Sequence, residues 1–148
     1  MCTNFVPSAR HEIAAARLGV LHLPPSQWPE EVFPGSLAPI LVRGDVSSDE
    51  PVRCIVAHFG LVPHWCKDAQ HAKDIARKTY NARSETASEK PSYRHPWHSR
   101  QWALAPMQCF FEPCWEDAPH NGGRSVRWQV GAADGDMLAV AGLWETWH

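Results

Sequence analysis

The sequence predicts a β-rich α+β domain of mostly antiparallel strands with two or so short helices, and three observations carry that prediction. A chain of 148 residues, 44% of them hydrophobic, suits one domain around one core. Five strand-like runs, Ala38–Arg43, Val52–Gly60, Trp102–Phe111, Ser125–Val130 and Met137–Trp144, are separated by turn signals such as Asn121-Gly122-Gly123 and Asp134-Gly135-Asp136. Helical spacing of apolar residues occurs in two places, Ser8–Leu18 and Asp68–Lys78.

Taken in order, the first helix has Ser8 as its expected N-cap, Ile13 and Ala16 on an inward face, and Gly19 as its stop. Leu23 to Pro39 holds five prolines and reads as an ordered irregular loop anchored by Trp28 and Phe33. The strands Ala38–Arg43 and Val52–Gly60, joined by the acidic turn Gly44–Glu50, are expected to form a hairpin. The second helix has Asp68 as N-cap, Ala69, Ala72, Ile75 and Ala76 facing inward, and Lys73, Arg77 and Lys78 facing out. Ser88 to Arg100 reads as a polar, aromatic connection, with Trp97 and Trp102 packing in the core. The last run, Met137–Trp144, is apolar on both faces and reads as an interior strand; its exposed end would leave Leu143, Trp144 and Trp147 open.

Composition narrows the function classes. No run of ~18 apolar residues is present to span a bilayer, and the first ten residues lack a secretory signal pattern. A cytoplasmic protein, cytosolic or nucleoid-associated, is the expectation, and five cysteines in such a chain argue against a disulfide framework. The net charge of −2 is unevenly spread: residues 67–100 hold eight Lys/Arg against four Asp/Glu, a local +4 in an otherwise acidic chain. That segment is a candidate polyanion-binding groove.

Motifs in a fixed order sharpen this. Met1-Cys2, Phe59-Gly60-Leu61-Val62-Pro63-His64-Trp65, Asn81-Ala82-Arg83-Ser84-Glu85-Thr86, Phe110-Phe111-Glu112-Pro113-Cys114-Trp115 and Ala141-Gly142-Leu143-Trp144-Glu145 follow one another along the whole chain. Together they resemble the SRAP family, the SOS response-associated peptidases, whose patterns are M-C-G-R, W-G-L-I-P-x-W, N-A-R-x-E-T, G-F-Y-E-W and A-G-L-W. The N-A-R-x-E-T element is the most specific.

The resemblance implies a compact β-rich fold in which Cys2, freed by loss of Met1, binds single-stranded DNA and links covalently to abasic sites in the DNA damage response. An associated autoproteolytic peptidase activity is implied as well. Cys2, Asn81 and Glu112 are the catalytic candidates: an N-terminal cysteine offers an amine and a thiol to one carbonyl, Glu112 in its aromatic setting suits a proton carrier, and Asn81 suits an amide that fixes the sugar or the amine. Arg83 is a phosphate contact, Arg77 adds to the basic outer face, and His64-Trp65 reads as a loop tip that meets DNA. No small-molecule cofactor or metal is called for, and the partner is single-stranded DNA with abasic sites.

The departures from the pattern matter. Thr3-Asn4 replaces Gly-Arg, Cys109 stands where a glycine precedes the aromatic pair, and Pro113-Cys114 intervenes before Trp115. The family's further H-x-R-M-P segment is absent, so residues 1–148 are expected to form a single domain that is incomplete at its C-terminus. Two other readings stay open: a non-catalytic single-stranded DNA-binding remnant, and a zinc-binding module built from Cys66 and His71, Cys109 and Cys114, or His58 and His64.

Overall fold

A computed structural model describes residues 3–16, 18–45, 49–116 and 120–148. Its centre is one long strand, β4 (Trp102–Cys114), to which four of the other five strands attach, all antiparallel. On one edge β4 meets β2 (Leu37–Arg43) through Ala103 and Leu104, then β1 (Asn4–Pro7) through Met107 to Phe111. On its other edge β6 (Leu138–Leu143) covers Trp102 to Met107, and β5 (Val126–Gly131) covers Cys109 to Cys114. The expected hairpin forms, with β3 (Val52–His58) pairing β2 from Leu37↔His58 to Arg43↔Val52. β4 runs three residues beyond the predicted Phe111, and Pro113 lies within the ladder opposite Arg127.

Two apolar clusters hold the sheet. Phe5, Val32, Ala38 and Met107 are buried together with Phe59 and Phe110 against them. Ile13, Leu41 and Cys54 form the second, covered by Leu23, Trp28, Val52 and Met137. Helix α1 (Arg10–Ala15) has six residues, too few to be stable alone, and is held by Ile13, which is fully buried. Burying such a side chain contributes about 1.5–3 kcal/mol relative to leaving it exposed.

Several sequence expectations are corrected here. Ser8 is not the N-cap of α1: Ala9 holds that place, its N–H donates to Glu12 Oε2 at 2.6 Å, and Ser8 is instead wholly buried. Phe33 is half exposed, and its fully buried neighbour Val32 is the anchor, exchanging backbone hydrogen bonds with Phe5. In α2 (Ala69–Ala76) Asp68 caps as expected, accepting from His71 N–H at 2.8 Å, but Ala69 faces solvent. The stretch read as a connection, Ser88 to Arg100, contains a two-turn helix, α4 (Pro91–His98), and the Asn81 motif before it contains a one-turn helix, α3 (Ser84–Ala87). Proline at the first helical position costs no hydrogen bond, so Pro91 starts α4 rather than breaking it. Trp97 and Trp102 pack edge to face at 4.9 Å, yet Trp102 is 45% exposed and not a core residue. β6 has β4 as its single strand neighbour among the described residues, and it is not an interior strand: Val140 is exposed. Leu143, Trp144 and Trp147 are half-buried rather than open, because Trp144 N–H donates to Gln101 O and Trp147 Nε1 donates to Cys66 O.

Candidate functional site

The Asn81 segment is delivered to its place by a knot of backbone contacts. Gly60 has φ +126, and a Cβ built there would lie 2.5 Å from the Ala76 carbonyl, so only glycine lets the strand-to-loop turn lie against the end of α2. Leu61 N–H donates to Thr79 O, and the buried Thr79 hydroxyl donates to Leu61 O at 2.6 Å. Tyr80 then stacks edge to face on Phe59, which does the same on Phe5. Tyr93 from α4 donates its phenol proton to the Asn81 carbonyl at 2.9 Å. Burial pushes the Tyr93 phenol up, which keeps the proton that this bond requires. Arg83 stands at the N-cap of α3, exposed, and forms no ion pair with Glu85 among the described residues. Arg77 is exposed at the C-cap of α2.

Glu112 sits near the far end of β4, half-buried, directly opposite Trp128. It lies two residues from Phe110 and therefore on the same face of the strand as Phe110 and its partner Phe5. Thr3 N–H donates to Phe111 O at 3.3 Å, so the beginning of the described chain runs beside Phe111 and Glu112. Cys2 and Met1 lie outside the described residues. The neighbouring Asn4, buried at the position where the resemblance has arginine, donates to Glu31. Arg127 from β5 pairs with the same Glu31 carboxylate and lies 3.5 Å above the Phe111 ring, so a cation stands nearby after all.

A third group was not foreseen. The Glu145 side chain, 2% exposed, receives His64 Nδ1 at 3.0 Å and His95 Nδ1 at 2.5 Å on the same oxygen, Oε1. The two imidazole rings lie 4.5 Å apart. Trp65, next to His64, is partly exposed, touches the His71 ring and reaches Pro91 O with its indole N–H at 3.4 Å. Glu145 was visible in the A-G-L-W-E element without a role, whereas His95 and Tyr93 were hidden because their helix was read as a connection. Asn81 and Glu145 line one cavity of about 680 Å³ with Phe59, Tyr80, Trp102 and Trp144. Glu112, Arg83, Arg77, His64 and Trp65 are not part of that lining.

None of the three zinc pairs weighed from sequence gathers a third ligand among the described residues. Cys109 and Cys114 are five apart on one strand and point to opposite faces. His58 Nδ1 meets the Gly35 carbonyl, and His71 Nδ1 accepts from Lys67 N–H. The Cys66 thiol is pushed up by burial, with Asp68 and Glu145 adding to the effect. Among the described residues no helix is long and apolar enough to cross a membrane.

Comparison with known proteins agrees with the motif order. A family model described as SOS response associated peptidase matches residues 1–148. Abasic site processing protein YoqW of Bacillus subtilis (strain 168) is 34% identical over 90 residues, covering 61% of this chain and 36% of that protein. YoaM of the same organism, also an abasic site processing protein, is 33% identical over 89 residues, 60% of this chain and 35% of its own. Among solved structures, a Bordetella bronchiseptica protein superposes with a TM-score of 0.79 at 25% identity, covering 97% of this chain and 64% of that one. A Bacteroides thetaiotaomicron protein gives 0.76 at 26%, covering 99% and 61%. The aligned part thus spans little more than a third of the curated relatives and under two thirds of the solved chains.

Proposed function

The chain belongs to the SOS response associated peptidase family, and from that premise we propose that it processes abasic sites in DNA, forming a covalent link through Cys2 once Met1 has been removed. The observation that carries this reading is the hydrogen bond from Thr3 N–H to Phe111 O, which runs the start of the chain past Glu112. In the proposed reaction the α-amine of Cys2 adds to the aldehyde of the ring-opened sugar. Glu112 passes a proton to the departing carbinol oxygen, which leaves as water. The thiol of the same residue then adds to the imine carbon and gives up its proton, closing a five-membered thiazolidine whose ring nitrogen keeps one hydrogen. Both nucleophiles come from one residue, so the second addition is intramolecular and fast. The Asn81 amide holds the sugar or the amine, steadied through its backbone by Tyr93.

Single-stranded DNA lies, on this reading, along the basic segment, with Arg83 and Arg77 on phosphates and Trp65 against a base. His64 commits Nδ1 to Glu145 and offers its outer ring edge, since its side chain is 51% exposed. The autoproteolytic peptidase activity uses the same Cys2 to release residues that precede it.

The experiment is a denaturing-gel assay with an oligonucleotide containing one abasic site. The native sequence is expected to form a heat-stable adduct, and Cys2→Ala to form none while retaining weak, salt-sensitive binding. A full yield of adduct from Cys2→Ala would assign the chemistry to another residue. Binding without adduct in both proteins would favour the non-catalytic DNA-binding reading.

A further inference from the structure

The geometry points to a divalent metal site of the zinc class formed by His64, His95 and Glu145. Three side chains from distant parts of the chain present one ligand atom each, all within 4.8 Å of one another. Two imidazoles and one carboxylate form a ligand set that suits Zn²⁺ and its d-block neighbours. Tetrahedral coordination at about 2.0–2.2 Å separates ligand atoms by roughly 3.3–3.6 Å. The observed 3.0 Å and 2.5 Å contacts to Glu145 Oε1 are shorter than that, and rotation of the carboxylate away from the two imidazoles opens them to admit an ion.

A second observation, independent of that convergence, argues for an ion rather than for hydrogen bonds alone. Glu145 Oε2 is buried and has no hydrogen-bond partner, while both imidazoles crowd onto Oε1. A buried carboxylate oxygen left without a donor is costly, and a cation in front of the carboxylate compensates both oxygens at once. The ligands are also held from behind. Ser99 Oγ lies 3.4 Å from the far nitrogen of His95, the outer-shell contact that sets the orientation of a ligating imidazole. Glu145 is pinned on both sides, by Trp144 N–H on Gln101 O and by Trp147 Nε1 on Cys66 O. His64 and His95 are half exposed on their outer sides, so a fourth, solvent-filled position remains open to the ion. Each Nδ1 must present a lone pair to the metal, which places the ring proton on Nε2, and for His95 that nitrogen faces Ser99 Oγ.

The ion would also staple the fold, because it joins the loop before α2, the last turn of α4 and the segment after β6. The test is titration of the metal-free protein with Zn²⁺ by calorimetry and with Co²⁺ by visible absorption. One equivalent should bind, Co²⁺ should show the intense visible bands of a tetrahedral site, and free Zn²⁺ at a hundredfold excess over Kd should raise Tm by roughly 5–10 °C. Glu145→Gln, which keeps the shape of the side chain, and His95→Ala should each abolish the stoichiometric event, whereas His58→Ala should leave it intact. Absence of a one-equivalent event in the native sequence overturns the proposal, as does its survival in both Glu145→Gln and His95→Ala. A thiolate-to-cobalt charge-transfer band in the near ultraviolet would also overturn it, since the ion would then sit on a cysteine. If Glu145→Gln unfolds, the cobalt spectrum of His95→Ala decides alone.

Discussion

At the scale of single residues, the cysteines differ because their surroundings differ. Burial pushes the Cys54 thiol up to about 11, with the Glu50 charge adding and the Arg10 guanidinium opposing. A thiol whose folded pKa lies above its ordinary 9.0 stabilises the fold fully below pH 9, and that stability is lost as pH rises through about 11. The slope from this one group is at most about 1.4 kcal/mol per pH unit. Thermal melts across that window should therefore fall more steeply for the native sequence than for Cys54→Ala; parallel curves would show that Cys54 does not contribute. Arg83 gives a second residue-scale prediction, because it is exposed and not paired with Glu85 among the described residues. Arg83→Ala should weaken binding to any single-stranded DNA and lower the salt slope by about one counterion's share while leaving Tm unchanged. A loss of Tm with an unchanged slope would instead give Arg83 a structural task.

At the scale of elements, the joint between the Gly60 loop and α2 sets where Asn81 stands. Gly60→Ala forces a side chain into a positive-φ position and against the Ala76 carbonyl, at a cost on the order of 2–3 kcal/mol. The expected outcome is a large drop in Tm together with loss of adduct formation, since Thr79 and Asn81 move with the joint. Asp68→Ala removes a cap from the same helix but not the joint. It should cost about 1 kcal/mol, some 2–4 °C in Tm, with adduct yield preserved. Equal effects of the two variants on adduct yield would separate Asn81 from the chemistry.

At the scale of the whole molecule, the sheet is covered unevenly. β3, β5 and β6 each have one strand neighbour among the described residues, and Trp128 and Val140 are exposed on β5 and β6. Unpaired strand edges carrying exposed apolar side chains favour pairing with another chain. Sedimentation velocity over a concentration series should show reversible association, and a Trp128→Lys, Val140→Lys double variant should shift it toward monomer. A monomer at all concentrations in the native sequence would show that these edges are adequately protected.

What the sequence determined by itself was whatever local chemistry enforces. Alternating apolar runs and Gly-containing turns specify five of the six strands and the β2–β3 hairpin, whereas β1 (Asn4–Pro7) is too short to show a pattern and is fixed by its pairing with β4; Asp68 marks the start of α2, and the ordered motifs point to the family. Legibility stopped where position depends on partners remote in the chain. α4 is not legible locally because Pro96, inside it, argues against a helix, while the packing of Trp97 on Trp102 and the Tyr93 bond to Asn81 favour it from outside. Phe33 and Val32 are equally hydrophobic to a reader of sequence, and only the pairing of Val32 with Phe5 decided which is buried. His64, His95 and Glu145 lie at three separate places in the chain, and no spacing rule connects them. Their convergence follows from β6 docking along the first half of β4 and α4 packing beside it, and long-range docking of that kind is decided by the tertiary structure alone.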